Sequence, residues 1–109
     1  MTGPPAGERP TVVAPAGELD VANVAEFRAG LADAARSTTG DVIVDLSDVG
    51  FIDSTGLGAI LELNEDLRRA DRGLSVVAPR GTAGAVLLTL AGLRRRLRVF
   101  DSRTSAERA

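Results

Sequence analysis

The clearest strand pattern in the chain is Asp41-Val42-Ile43-Val44-Asp45-Leu46. Its three consecutive β-branched residues predict a strand that is buried on both faces, which is typical of a parallel sheet covered by helices. Shorter runs with strand character lie before and after it along the chain. These predicted strands are Thr11–Ala14, Leu74–Ala78 and Arg98–Phe100.

The first predicted helix covers residues 21–35 or 24–35 and carries apolar residues at helical spacing. Two starts remain open. Asp20 is one candidate N-cap, and Asn23 is the other, with Glu26 completing a capping box three residues later. The short segment Gly17-Glu18-Leu19-Asp20 just before it resembles a strand that leads into a helix.

Two further helices are predicted at residues 54–70 and 83–90, and the tail from Asp101 could add one more turn. The segment Ser47–Asp53 is expected to be a loop between the central strand and the second helix. Strands that alternate with helices indicate an α/β fold with right-handed crossovers. We therefore expect one domain over residues 11–109, with helices packed on a mostly parallel or mixed sheet of about four or five strands, and a flexible, proline-rich arm at residues 1–10.

Composition excludes several functional classes. The 109 residues contain no histidine and no cysteine, and all 13 cationic side chains are arginines. A Ser-His-Asp triad, thiolate chemistry, a lysine base and most zinc sites are therefore ruled out. The formal net charge of -2 and the lack of Trp and Tyr argue against a nucleic-acid partner. We expect a cytoplasmic protein without cofactor, metal or direct membrane contact.

The segment Asp53-Ser54-Thr55-Gly56 stands at the predicted start of the second helix, and three interpretations of it compete. Asp53 could simply cap the helix. Ser54 could be a nucleophile, although no activating side chain is visible. Ser54 could instead accept a phosphate, since a helix N-terminus favours negative charge. Because Gly56 and Gly58 have no side chains, they would leave the start of the helix accessible to a partner, which favours the third interpretation.

Acidic residues are expected to gather near this serine. Glu18 and Asp20 lie at the end of one short strand, and the Asp53 loop follows the central strand. Because the carboxyl ends of parallel strands meet at one edge, Glu18, Asp20, Asp53 and Ser54 would form an acidic rim. The arginine run 94–96 with Arg98 and the segment 81–84 are interpreted as a solvated surface and a turn.

Three blocks together resemble the STAS family, and most closely its small bacterial anti-sigma factor antagonists. They are Gly17-Glu18-Leu19-Asp20, Val42-Ile43-Val44-Asp45-Leu46 and Phe51-Ile52-Asp53-Ser54-Thr55-Gly56-Leu57-Gly58. The late segment Leu88-Thr89-Leu90-Ala91-Gly92-Leu93 also looks like the family's last helix and its exit. The similarity runs from about Thr11 to the end of the chain. The family usually opens with one more strand, where this chain has its proline-rich arm, and the last helix looks shortened.

The resemblance implies a partner switch in transcription regulation. The unphosphorylated protein would bind an anti-sigma factor that is also a serine kinase, and so release a sigma factor. The kinase would then phosphorylate Ser54, with Thr55 as a minor alternative, and a PP2C-type phosphatase would reverse this. The partner-binding residues would be Glu18, Asp20, Asp53, Ser54, Thr55, Gly56, Leu57, Gly58 and Leu61.

Two other functions stay open at this point. STAS domains also serve as constitutive subunits of signalling scaffolds or lipid transporters, without sigma control. A hydrolase that uses the acidic rim as its acid–base site ranks far lower, because the chain shows no pocket signal and no activated nucleophile.

Overall fold

A four-stranded parallel sheet forms the centre of the computed structural model, which describes residues 9–109. In chain order the elements are β1 Thr11–Val13, β2 Gly17–Leu19, α1 Val24–Ser37, β3 Val42–Asp45, β4 Val49–Ile52, α2 Ser54–Arg69, β5 Leu74–Val77, α3 Ala83–Leu90, β6 Arg98–Phe100 and α4 Arg103–Arg108. The predicted α/β class is confirmed. Residues 1–8 of the expected arm lie outside the described residues.

The large sheet has the strand order β1-β3-β5-β6, and every pair in it is parallel. β3 lies inside the sheet and pairs with β1 on one side and β5 on the other. All four of its residues are buried, as the run of β-branched side chains predicted. The side chains of Val42 and Val44 join the main core, while Ile43 faces a smaller cluster with Val77 and Ala106 of α4.

The prediction that Ser47–Asp53 forms a loop is wrong, because Val49–Ile52 form strand β4. β4 pairs in parallel with β2 and forms a separate two-stranded sheet. The register shifts between Gly17 and Glu18, since Gly17 pairs with Val49 but Glu18 pairs with Phe51. Gly50 is the extra residue of this bulge. A four-residue strand that contains a glycine and pairs with only three residues has no periodicity that a sequence pattern could reveal.

Helix α1 begins at Val24, so the later of the two expected starts is confirmed. Neither expected capping arrangement forms, however, because Asn23 occupies the N-cap position without a side-chain bond to the helix. Its side chain instead accepts a hydrogen bond from Asp20 N and donates one to the Glu18 carbonyl. The helix then runs on to Ser37, two residues beyond the predicted end.

Helices α1 and α2 pack their predicted apolar faces on the core, and the two helices contact each other. The buried side chains are Phe27, Leu31 and Ala34 of α1 and Leu57, Ala59, Ile60, Leu63 and Leu67 of α2. Arg72 stabilises the end of α1, because its guanidinium donates hydrogen bonds of 2.8–2.9 Å to the carbonyl oxygens of Ala35, Thr38 and Gly40.

Helix α3 has the predicted bounds and packs against β4. Its inward residues are Gly84, Ala85 and Leu88, and Gly84 lies directly against the Leu46 side chain. The turn that precedes it is confirmed, with Thr82 as its N-cap. The predicted last turn is helix α4, which an ion pair of 2.8 Å between Arg103 and Asp45 joins to the sheet.

Candidate functional site

The site lies where β2 and β4 end side by side. Leu19 pairs with Ile52, and Asp53 N donates to the Leu19 carbonyl over 3.1 Å. This pairing brings the segments after Leu19 and Ile52, with Asp20 and Asp53, to the same end of the small sheet. Of the expected acidic rim, Asp20 and Asp53 therefore lie at the same end of the two-stranded sheet, while Glu18 lies within β2. The expectation that the Asp53 loop directly follows the central strand is corrected, because β4 intervenes.

Asp53 is the N-cap of helix α2, so the capping interpretation of this segment is confirmed. Its Oδ1 accepts hydrogen bonds from Thr55 N at 2.9 Å, Thr55 Oγ1 at 2.6 Å and Gly56 N at 3.3 Å. The Thr55 hydroxyl, together with the backbone N–H groups of Gly56, Thr55 and Val21, lowers the pKa of the Asp53 carboxyl below its ordinary value. Asp53 is therefore a carboxylate at neutral pH and stays attached to its own helix.

Ser54 and Thr55 are adjacent in sequence but differ in availability. Ser54 is the first residue of α2 and is exposed. Within residues 9–109, no group hydrogen-bonds its hydroxyl. The Thr55 hydroxyl is half-buried and already donates to Asp53. Of the two, only the Ser54 oxygen is therefore open to solvent and unengaged by the rest of the described chain.

The two glycines of the first turns of α2 have different surroundings, although the sequence suggested one role for both. A Cβ added at Gly56 would lie 3.1 Å from Leu19 Cβ, 3.1 Å from Ile52 Cγ1 and 3.2 Å from the Leu19 carbonyl oxygen. Gly56 therefore lets the helix approach β2 closely and does not open the surface. Nothing lies within 4 Å of a Cβ added at Gly58, which fits the expected open surface.

The other residues that were expected to contact a partner differ in their burial. Leu57 is only 7% exposed and belongs to the core, so its expected role as an apolar contact for a partner does not fit its burial. Leu61 is half-buried at the rim of the core. Glu18 is exposed, and Asp20 is half-buried with its Oδ1 bound to Ala22 N at 3.0 Å.

Two apolar residues near Ser54 were not among the sequence-predicted contacts. Phe51 is 49% exposed and pairs with Glu18 across the small sheet, and Val21, whose N–H group helps lower the Asp53 pKa, is 74% exposed. Exposed large apolar side chains commonly mark an interaction surface when they lie together around one site. No periodicity could have identified them, because their exposure follows from the unpredicted β2–β4 pairing. We call Val21, Phe51, Ser54, Gly58 and Leu61 the Ser54 surface.

Residues 9–109 contain no group of three or more acidic, histidine or cysteine side chains placed to hold a metal ion. None of the helices in this range is long and apolar enough to cross a membrane.

Known proteins share both the sequence and the fold. An anti-sigma-B factor antagonist from Staphylococcus epidermidis is 35% identical over 78 residues, which cover 72% of this chain and 71% of that protein. The crystal structure of an anti-sigma factor antagonist from Mycobacterium paratuberculosis superposes with a TM-score of 0.79 at 26% identity, covering 100% of this chain and 92% of that one. A sulfate transporter family protein from Wolinella succinogenes shares the fold, with a TM-score of 0.74 at 24% identity, covering 98% and 87% of the two chains.

The family assignment rests on most of the chain. The STAS domain family matches residues 5–106, a range that includes both sheets, helices α1 to α3 and most of α4. The strand pairing that brings Asp20 and Asp53 together lies inside the matched range, as does the helix that begins at Ser54. This chain belongs to the STAS domain family.

Proposed function

We propose that this protein is an anti-sigma factor antagonist that is switched off by phosphorylation of Ser54. In its unphosphorylated form it binds an anti-sigma factor with serine kinase activity and so releases a sigma factor in the cytoplasm. The observation that carries the proposal is the Ser54 hydroxyl, which is exposed and unengaged at the start of α2 while the adjacent Thr55 hydroxyl is bound to Asp53. This difference favours Ser54 over Thr55 as the acceptor.

The position of Ser54 allows a phosphate without disturbing the fold. The side chain is exposed, and the positive end of the α2 dipole lies beside it. A phosphoserine adds roughly 1.5 to 2 negative charges at pH 7. Asp53 next to it is already ionised, because its pKa is lowered. The modification therefore adds strong negative charge at the strand ends that already carry Asp20 and Asp53.

This added charge would act on recognition. A partner shaped for the neutral Ser54 hydroxyl would meet a bulky dianion instead. A loss of about 3 kcal/mol in binding would weaken the complex by more than about 100-fold. The chain itself needs no catalytic residue or cofactor, because the kinase supplies ATP, magnesium and the base, and a PP2C-type phosphatase would restore the serine.

The direct test is phosphorylation by a purified cognate anti-sigma factor kinase, followed by peptide mapping. Wild type and Thr55→Val should carry phosphate on Ser54, and Ser54→Ala should carry none. Ser54→Asp should show the circular dichroism and melting curve of the wild type, yet bind the kinase far more weakly. Phosphate that remains on Ser54→Ala would overturn the assignment.

A constitutive STAS subunit of a signalling scaffold or transporter is the second candidate. It is favoured by the fold shared with the sulfate transporter family protein. Size-exclusion chromatography and pull-down distinguish the two functions. Recovery in a large assembly that Ser54→Asp leaves intact would support the constitutive subunit and oppose the switch.

A further inference from the structure

Helix α3 exposes a second apolar face that the proposed function does not use. Its inner residues Ala85 and Leu88 pack on the core, whereas Val86 is 51% exposed and Leu90 is 79% exposed. Val86, Thr89 and Leu90 are spaced three and four residues apart, so they share one side of the helix. They line a groove of about 420 Å³ that also includes Arg80, Arg94 and Asp101.

The arginines at this groove differ from most others in the protein. Elsewhere, six arginines form ion pairs with acidic side chains, and the guanidinium of Arg72 bonds backbone carbonyls. Arg80 and Arg94 are exposed and have no ion pair within residues 9–109, and the same holds for Arg95 and Arg96 next to them. With Asp101 as the one acidic side chain in the lining, the groove is positive in a chain whose net charge is -2.

We propose that this groove, defined by Arg80, Val86, Thr89, Leu90, Arg94 and Asp101, is a docking site for an acidic amphipathic segment of a partner protein. Apolar side chains of the partner would lie against Val86 and Leu90. Its carboxylates would pair with Arg80 and Arg94, whose planar guanidinium groups suit bidentate carboxylate binding. Charge complementarity and the concave shape together specify this occupant.

A protein segment fits better here than an anionic membrane. An interfacial helix needs a long apolar face to enter the headgroup region, but α3 has eight residues and presents only two large exposed apolar side chains. A concave groove accepts individual side chains, whereas a bilayer surface cannot follow it. The groove also carries the opposite charge to the acidic side chains around Ser54. It therefore suits a different partner surface and does not depend on the proposed switch.

The test uses fluorescence anisotropy and emission with a synthetic peptide as the probe. The peptide places leucines on one helical face, glutamates on the other and a single tryptophan at its end. Because the protein contains no Trp and no Tyr, the peptide provides the whole signal. We expect saturable binding that weakens as salt is added. A matched peptide with lysines in place of the glutamates should not bind.

Variants then place the binding on the groove. Leu90→Ser and Arg94→Glu should each weaken binding of the glutamate peptide by about tenfold or more. Arg108→Glu is the matched control for the charge reversal, since Arg108 is exposed and lies outside the groove, and it should bind like the wild type. Circular dichroism checks that every variant is folded.

Three outcomes would overturn the proposal. The first is equal binding of the glutamate and lysine peptides, and the second is full binding by Leu90→Ser. The third is binding to phosphatidylserine vesicles that Leu90→Ser abolishes, with no binding of the glutamate peptide. None of these results bears on phosphorylation of Ser54, so the two proposals fail separately.

Discussion

Replacing Gly56 with alanine should destabilise the protein, although alanine favours helices. The new Cβ would lie 3.1 Å from both Leu19 Cβ and Ile52 Cγ1, and 3.2 Å from the Leu19 carbonyl oxygen. These distances are shorter than ordinary van der Waals contacts. The Leu19 carbonyl cannot move away freely, because it accepts the 3.1 Å hydrogen bond from Asp53 N that joins β2 to the site.

The size of the effect follows from two opposing contributions. Overpacking of a tight core site costs about 1–3 kcal/mol. Replacing glycine by alanine in a helix gains up to about 1 kcal/mol. We therefore expect Gly56→Ala to lower the free energy of unfolding by about 1–2 kcal/mol, because the steric contribution outweighs helix propensity.

Gly58 provides the matched control on the same helix. A Cβ at this position meets nothing within 4 Å, so only the propensity gain remains. Gly58→Ala should raise the free energy of unfolding by about 0.5–1 kcal/mol. Urea denaturation followed by far-UV circular dichroism measures both variants, since the chain has no tryptophan to report by fluorescence. A Gly56→Ala protein as stable as the wild type would refute the close-packing argument.

Three further predictions concern other parts of the fold. Burial opposes ionisation of Asp45, but hydrogen bonds from Ser47 and Arg103 outweigh it and hold the pKa below its usual range. This contribution to stability is present above the ordinary aspartate pKa of about 3.9 and is lost as the pH falls through the folded pKa. Arg103→Ala should therefore raise the Asp45 pKa in an NMR titration, and an unchanged value would contradict the coupling. Thr82→Ala, which removes the N-cap of α3, should cost about 1 kcal/mol in urea denaturation, and Thr82→Ser should cost little. Phe51→Ser should leave the protein folded by circular dichroism but weaken binding of the cognate anti-sigma factor by about tenfold, and full binding would remove Phe51 from the Ser54 surface.

The elements with strong local patterns could be predicted from the sequence. β3 has three consecutive β-branched residues, and α2 repeats its leucines and isoleucine at helical spacing, so burial and periodicity agree in both. β4 could not be predicted, because Gly50 interrupts it and its pairing partner β2 lies 30 residues earlier in the chain. The missing capping box of α1 has a similar cause, since Asn23 bonds the turn at Glu18 and Asp20 in place of the helix.

The candidate site shows the same division. Short-range features of the sequence indicated that a helix begins at Ser54 and that Asp53 caps it, because a cap depends on residues two and three positions away. Residue spacing alone could not show that Gly56 is packed and Gly58 open, or that the Thr55 hydroxyl is bound to Asp53 while that of Ser54 is not. Those differences depend on which way each position faces once α2 packs against β2.

The amino-acid sequence by itself therefore determined the helices, the four strands of the large sheet, the parallel α/β class and the helix start that carries Ser54. Periodicity, capping and β-branching act over a few residues and are present in the linear pattern. Tertiary structure alone decided the β2–β4 pairing, the exposure of Phe51 and Val21, and the open apolar face of α3. These depend on contacts between residues far apart in the chain, and a near-continuous apolar helix such as α3 does not show which side will remain uncovered.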